Sequence, residues 1–138
     1  MNLLKECDAG SKMAVSAIDE VYEKTTSPKL KKLFDKSKSH HAKIGNKLHD
    51  MLLDMGFNEK DPNIMAKGMS WLKTNVMLTM KNNDQTIADL ITDGCNMGVK
   101  SLYKYKNQYA LANEKAIHAC NELIEIEKSL RRDLRDFL

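Results

Sequence analysis

Residues 28–56 read PKLKKLFDKSKSHHAKIGNKLHDMLLDMG, and this stretch decides the fold. Ser27 followed by Pro28 is typical of a helix N-terminus, and Gly56 is a common helix stop. Between them, apolar or small side chains recur at steps of three and four, which places them on one face of a helix. The stretch therefore predicts a long helix with this buried face: Leu30, Phe34, Ser37, His41, Ile44, Leu48, Met51 and Met55.

The rest of the chain is predicted to form helices that pack on this one. The same periodicity, with Asp84 and Asn113 as predicted N-caps, places helices over 2–26, 28–56, 62–81, 85–110 and 113–137 of a single domain, 1–138. Asp8 is expected to lie mostly off the apolar face of the first helix. With two prolines, six glycines and few aromatic residues, the composition favours an all-α fold.

The two halves of the chain resemble each other weakly. Cys7, Gly10 and Lys12 match Cys95, Gly98 and Lys100 at an offset of 88. At an offset of 86, four residues of the first half fall on similar residues of the second: Ser27 on Asn113, Ile44 on Leu130, Leu48 on Leu134 and Met51 on Phe137. The first pair of helices is therefore predicted to be a divergent copy of the last pair.

The turn before Pro28 is so short that the first two helices must be antiparallel. The helix predicted over 62–81 would span about 30 Å, which is long enough to return the chain along the bundle. This predicts two antiparallel pairs joined by one crossover helix. A plain five-helix bundle remains the alternative, and it differs only in what the crossover helix packs on.

This arrangement resembles the ferritin-like fold, and the chain is similar to a family of small uncharacterised bacterial ferritin-like proteins. The motifs that carry the resemblance are LLKECDAG at 3–10, MAKGMSWLKTNVMLTM at 65–80 and ITDGCNMGVKSLYKY at 91–105. In that family a cysteine is followed, two residues later, by Gly-Glu. Here the glutamate positions hold Ser11 and Val99, so the motif is degraded.

The resemblance implies a di-iron centre, but the ligands for one are missing from the sequence. Ferritin-like sites use a glutamate from each of two helices and Glu-x-x-His from the other two. No Glu-x-x-His occurs in this chain. His41 and Glu127 are related by the offset of 86 and are expected to face each other at mid-height. We interpret them as a buried hydrogen-bonded pair; the alternative is a minimal iron, zinc or manganese site, completed by His40 or water.

The three cysteines are expected to be reduced core residues. Antiparallel first and third bundle helices would put Cys7 and Cys95 toward opposite ends, on the order of 20 Å apart. That separation excludes a disulfide between them.

Charge and hydropathy exclude several classes of partner. A net charge of +3 does not indicate nucleic-acid binding, and no apolar run is long enough for a membrane span or resembles a signal peptide. A lysine stripe on 28–56 is expected to pair with Asp19, Glu20 and Glu23, although it could also serve a basic binding module; it comprises Lys29, Lys32, Lys36, Lys43 and Lys47.

Together these patterns predict a cytoplasmic, non-enzymatic protein without a cofactor that works through a homo-oligomer or an unidentified protein partner. The apolar crossover residues Met65, Met69 and Trp71 are the expected contact surface. A divergent ferritin-like metalloprotein is the competing function.

Overall fold

The computed structural model describes residues 2–57 and 83–138, and every regular element within those ranges is helical. The all-α prediction is therefore confirmed. The helix predicted over 62–81, with Met65, Met69 and Trp71, lies outside the described residues. The elements are α1 (Asn2–Tyr22), α2 (Pro28–Asp54), α3 (Asp84–Gln108), α4 (Glu114–Asp133) and a 3-10 helix (Leu134–Phe137).

The four helices pack side by side as two antiparallel hairpins. Helix α1 packs on α2, α3 packs on α4, and the hairpins meet through α1 against α3, α2 against α4 and α1 against α4. Phe57, which follows α2, packs at the end where α1 begins, whereas the start of α3 lies beside Thr26 at the other end. The two described ranges thus end and resume at opposite ends of the bundle, at Phe57 and Asn83.

Local signals set both ends of α2, as the sequence predicts. The Ser27 Oγ accepts a hydrogen bond from the Leu30 N–H at 3.3 Å, and Pro28 occupies the first turn. At the other end Gly56 has φ +81°, and the N–H groups of Gly56 and Phe57 donate to the carbonyls of Leu53 and Leu52. This is a Schellman motif, in which glycine takes the left-handed conformation at no steric cost.

The predicted end of α1 and the predicted N-cap of α3 both differ from the structure. Helix α1 ends at Tyr22 and not at residue 26, because the N–H groups of Lys24 and Thr25 turn back to the carbonyls of Val21 and Tyr22. The N-cap of α3 is Asn83, whose side chain accepts from the Thr86 N–H at 2.7 Å.

The N-cap of α4 is Asn113, as predicted. Its Oδ1 accepts from the Ala116 N–H at 2.8 Å. The α-helix stops at Asp133, however, and the chain tightens into 3-10 geometry over Leu134–Phe137. Such tightening is common where the last carbonyls of a helix lack α-helical partners.

Two core positions also differ from the sequence-based expectation. Met55 is 40% exposed because it lies past the last helical turn, where Leu52 takes the buried place four residues after Leu48. Asp8 is buried although it was expected off the apolar face. Its Oδ2 pairs with the Lys12 ammonium at 2.9 Å, while its Oδ1 has no hydrogen-bond partner.

The core is divided into two apolar clusters, one toward each end of the bundle. The first cluster joins the start of α1 and the end of α2 to the start of α4, and it includes Leu4, Cys7, Ile44, Leu48, Cys120 and Leu123. The second joins the other ends of the helices, and it includes Ile18, Phe34, Ile91, Cys95, Leu130 and Leu134. None of the helices in 2–57 and 83–138 is long and apolar enough to cross a membrane.

The internal repeat reappears in these clusters. Ile44 and Leu48 belong to the first cluster, and their repeat partners Leu130 and Leu134 belong to the second. Cys7 likewise belongs to the first cluster and its repeat partner Cys95 to the second. The hairpins are therefore related by an approximate two-fold axis that runs across the bundle, and it passes between the clusters.

Candidate functional site

A layer of polar side chains separates the two clusters at mid-height. It contains Ser11 from α1, Ser37 and His41 from α2, and Glu127 from α4, all of them buried. Helix α3 contributes Gly98, where an added Cβ would lie 3.4 Å from the Glu127 Oε2. Buried polar groups are costly unless they are paired, so the bonding of this layer decides what it can do.

His41 is held by hydrogen bonds at both ring nitrogens. Its side chain is fully buried, its Nδ1 lies 2.8 Å from the Ser37 carbonyl oxygen, and its Nε2 lies 2.7 Å from the Glu127 Oε1. Because a carbonyl oxygen can only accept, Nδ1 carries a proton and donates it to Ser37. The predicted pairing of His41 with Glu127 is confirmed.

The surroundings of His41 shift its pKa in both directions. Burial lowers the pKa of His41, but the hydrogen bond to Glu127, the charge of its carboxylate and the bond to the Ser37 carbonyl raise it by more. The net pKa of His41 is raised above its ordinary value, which favours an imidazolium facing a carboxylate. Such a pair satisfies two groups that could not be buried alone.

The other carboxylate oxygen of Glu127 is turned toward α3. The absence of a side chain at Gly98 leaves room for Oε2. The Cys95 thiol is also close: its pKa is raised first by burial and then by the charge of Glu127 and a hydrogen bond to it. Cys95 is therefore held as a thiol, which is a poor metal ligand and a poor nucleophile.

The residues of this layer do not fit a di-iron centre. Such a centre needs carboxylates from all four helices, and here Glu127 is the buried carboxylate of the layer while α1, α2 and α3 supply Ser11, Ser37 and Gly98. The donor atoms closest together, His41 Nε2 and Glu127 Oε1, are already bonded directly. In residues 2–57 and 83–138, no group of three or more His, Cys, Asp or Glu side chains is arranged to hold a metal ion.

His40, the third candidate ligand from the sequence, lies on the exposed side of α2. It borders a shallow surface depression with Lys43, Lys47, His118 and Glu122, whereas His41 points into the core. Adjacent residues on a helix are about 100° apart, so His40 and His41 cannot both face the central layer. A minimal metal site would consist of His41 and Glu127 without His40.

The sequence did not predict that Cys7 would pair with Cys120. Both are buried in the first cluster. A hydrogen bond between their thiols raises the pKa of Cys7, together with burial, and lowers the pKa of Cys120. Cys120 also lies 3.8 Å from the Leu102 carbonyl oxygen, to which it donates. The repeat gave no signal for this pair, because the repeat partner of Cys120 is Phe34.

The lysine stripe of α2 is exposed, as expected, but not with the predicted ion pairs. Lys47 pairs with Glu122 of α4 at 2.9 Å, and Asp19 of α1 pairs with Lys38, which lies outside the stripe. These side chains are about half exposed, so the pairs contribute little to stability.

Comparison with protein-family models, curated proteins and solved structures finds no match for this chain.

Proposed function

We propose that this chain is a non-enzymatic ferritin-like bundle whose central layer has become structural, and that it acts in the cytoplasm by self-association or through a protein partner. The observation that carries the proposal is the 2.7 Å bond between His41 Nε2 and Glu127 Oε1. In a ferritin-like protein these atoms would face metal. Bonded to each other, they fix the packing of α2 on α4.

The positions at which α2 ends and α3 begins support the ferritin-like topology. Helix α2 finishes beside the start of α1, and α3 starts beside Thr26, so α2 and α3 run in the same direction. Two antiparallel hairpins with this relation require one long crossover, which is the ferritin-like connection.

The thiols support a non-enzymatic role. All three cysteines are buried, and the pKa values of Cys7 and Cys95 are raised, so these two thiols lack the thiolate character of a nucleophile. His41 is fully buried and bonded at both nitrogens, which leaves no free atom for acid–base work on a substrate.

A single-metal site is the competing function, and one observation favours it. The bond from Nδ1 to the Ser37 carbonyl fixes the tautomer of His41 so that Nε2 would be its coordinating atom. Metal-binding histidines are commonly oriented in this way. Iron, zinc or manganese would then have to replace the proton between His41 and Glu127.

Metal analysis of protein purified without a histidine tag separates the two functions. We expect less than 0.1 equivalent of iron, zinc or manganese per chain (about one-tenth occupancy), both as purified and after incubation with each metal followed by desalting. His41→Ala is the site variant, and His40→Ala is its exposed control. Stoichiometric metal that is lost in His41→Ala and kept in His40→Ala would establish the metalloprotein instead.

Self-association is tested by the mass of the protein in solution. Two large apolar side chains of α3 are exposed, Met97 at 47% and Tyr103 at 40%. We expect light scattering to give a mass at least twice that of one 15.7 kDa chain. If the protein is a monomer at micromolar concentrations, self-association is excluded and the proposed function depends on a separate protein partner.

A further inference from the structure

A cavity of about 320 Å³ runs between α1 and α3. Small side chains on the facing sides of both helices leave this space open; they include Ala9, Gly10, Ala14, Gly94 and Gly98. On α1 the lining extends from Glu6 to Ile18, which corresponds to about 18 Å along a helix. The cavity is thus elongated, and its volume is in the range of small-molecule sites.

The charged side chains in the described lining of this cavity are acidic. Among the described residues that line it, Glu6 and Glu127 carry charge, and none is lysine, arginine or histidine. Glu127 is 7% exposed, so its carboxylate lies at the floor of the cavity. Its Oε1 is taken by His41, while Oε2 lies against Gly98. The Cys95 thiol, which also lines the cavity, hydrogen-bonds this carboxylate.

Glu6 marks one end of the cavity. It is close enough to Tyr105 that the pKa of the phenol is raised, first by burial and then by the charge of Glu6 and a hydrogen bond to it. Apolar side chains line the rest of the path toward Ile18 and Leu130. An anionic ligand such as a fatty acid would meet two carboxylates and no cation among the described residues of this lining.

We propose that the cavity between α1 and α3 binds an elongated apolar molecule that carries one protonated amine. The amine donates to Glu127 Oε2, and the apolar body lies along α1 and α3. A charge-assisted bond to a buried carboxylate gives the amine its advantage over a neutral or anionic head group. Burial of the apolar body supplies most of the affinity.

The test compares three probes with the same tail: dodecylamine, dodecanol and dodecanoic acid, each titrated calorimetrically below its micellar concentration into the full chain. We expect the amine to bind one molecule per chain, about tenfold or more tighter than the alcohol, and the acid to bind weakest. Glu127→Gln should remove the preference for the amine over the alcohol.

A second variant fills the cavity without altering the carboxylate. Ala14→Leu should abolish binding of all three probes, whereas Ala42→Leu, on the exposed side of α2, should leave binding unchanged. Circular dichroism of both variants verifies the helical fold. Ala14→Leu therefore tests whether the probes bind in this cavity even if the Glu127→Gln variant does not fold.

Three outcomes would overturn the proposal. The first is no binding of dodecylamine. The second is equal affinity for the three head groups, unchanged in Glu127→Gln. The third is a dimer that dissociates in Ala14→Leu, because a second copy would then occupy the cavity. The first two outcomes concern the ligand alone and do not affect the proposed function.

Discussion

Asp84, the first residue of α3, binds Thr26 and Ser27 in the turn between α1 and α2. Its Oδ1 accepts from the Thr26 N–H at 2.9 Å, and its Oδ2 accepts from the Thr26 hydroxyl and the Ser27 N–H, also at 2.9 Å. One carboxylate therefore satisfies two N–H groups of the turn between α1 and α2. The junction joins residues 58 positions apart and fixes the relative position of the two hairpins.

Asp84→Ala removes all three of these hydrogen bonds. We expect it to lower the free energy of unfolding by about 1–2 kcal/mol, since the bonds are partly exposed. Asp89→Ala, an exposed position one turn further along α3, is the control and should change stability by less than about 0.5 kcal/mol. Equal unfolding midpoints in urea for the two variants would show that the hydrogen bonds of Asp84 do not stabilise the fold.

The same carboxylate predicts a loss of stability in acid. The hydrogen bonds from Thr26 lower the pKa of Asp84 below 3.8, despite the opposing effect of burial. A lowered pKa means that the contribution is complete above pH 3.8 and is lost as pH falls through the folded value. Asp84→Asn should therefore show a flatter stability profile between about pH 4 and pH 2. A profile as steep as that of the unaltered chain would exclude Asp84 as the cause.

The pairing of His41 with Glu127 is tested by a double-mutant cycle. His41→Leu alone leaves a buried carboxylate without its partner and should cost about 3–5 kcal/mol; Glu127→Leu alone should cost a similar amount. The double variant should cost much less than the sum, because it buries no polar group without a partner. Additive costs in guanidinium unfolding would show that the two residues do not interact.

The pair also predicts a pH dependence near neutrality. Since the folded pKa of His41 is raised above 6.5, its contribution is complete below pH 6.5 and is lost as pH rises through the folded value. The slope for one proton is at most about 1.4 kcal/mol per pH unit. We expect the free energy of unfolding to fall from pH 6.5 upward, and less so in the double leucine variant. The raised pKa of His41 would be refuted if the free energy of unfolding of the unaltered chain increased above pH 6.5 while that of the double leucine variant did not.

Close packing of α1 on α2 predicts coupling between Gly45 and Ser11. A Cβ added at Gly45 would lie 3.1 Å from the Ser11 Oγ, and the next nearest atom, the Ser11 Cβ, would be at a comfortable 3.7 Å. Gly45→Ala should therefore destabilise by about 1 kcal/mol in the unaltered chain. In the Ser11→Ala background it should stabilise by up to about 1 kcal/mol, because alanine favours the helix. The same sign in both backgrounds, measured by thermal unfolding, would rule out this contact.

Local features of the chain were predictable from its sequence. The caps at Ser27 and Asn113 and the stop at Gly56 depend on a few neighbouring residues, and the buried face of α2 follows from its periodicity. His41 and Glu127 are 86 residues apart, yet their pairing was predictable because the internal repeat carried long-range information.

Features without a local or repeated signal were missed. The hydrogen bonds of Asp84 join residues in different hairpins, so Asp84 was mistaken for the cap of its own helix. Burial of Asp8 and the contact of Cys7 with Cys120 depend on how neighbouring helices rotate about their axes. The cavity between α1 and α3 likewise arises from small residues on two helices that meet only after folding.

The approximate two-fold axis between the hairpins gives the central pair a further consequence. If the first hairpin associated with the first hairpin of another molecule in the same geometry, His41 would face a second His41. Two copies of the second hairpin would bring Glu127 against Glu127. Two imidazolium groups or two carboxylates at this buried position would repel each other, whereas an imidazolium and a carboxylate attract. The asymmetry of one residue pair thus directs each hairpin to its partner in the same chain and away from its own copy.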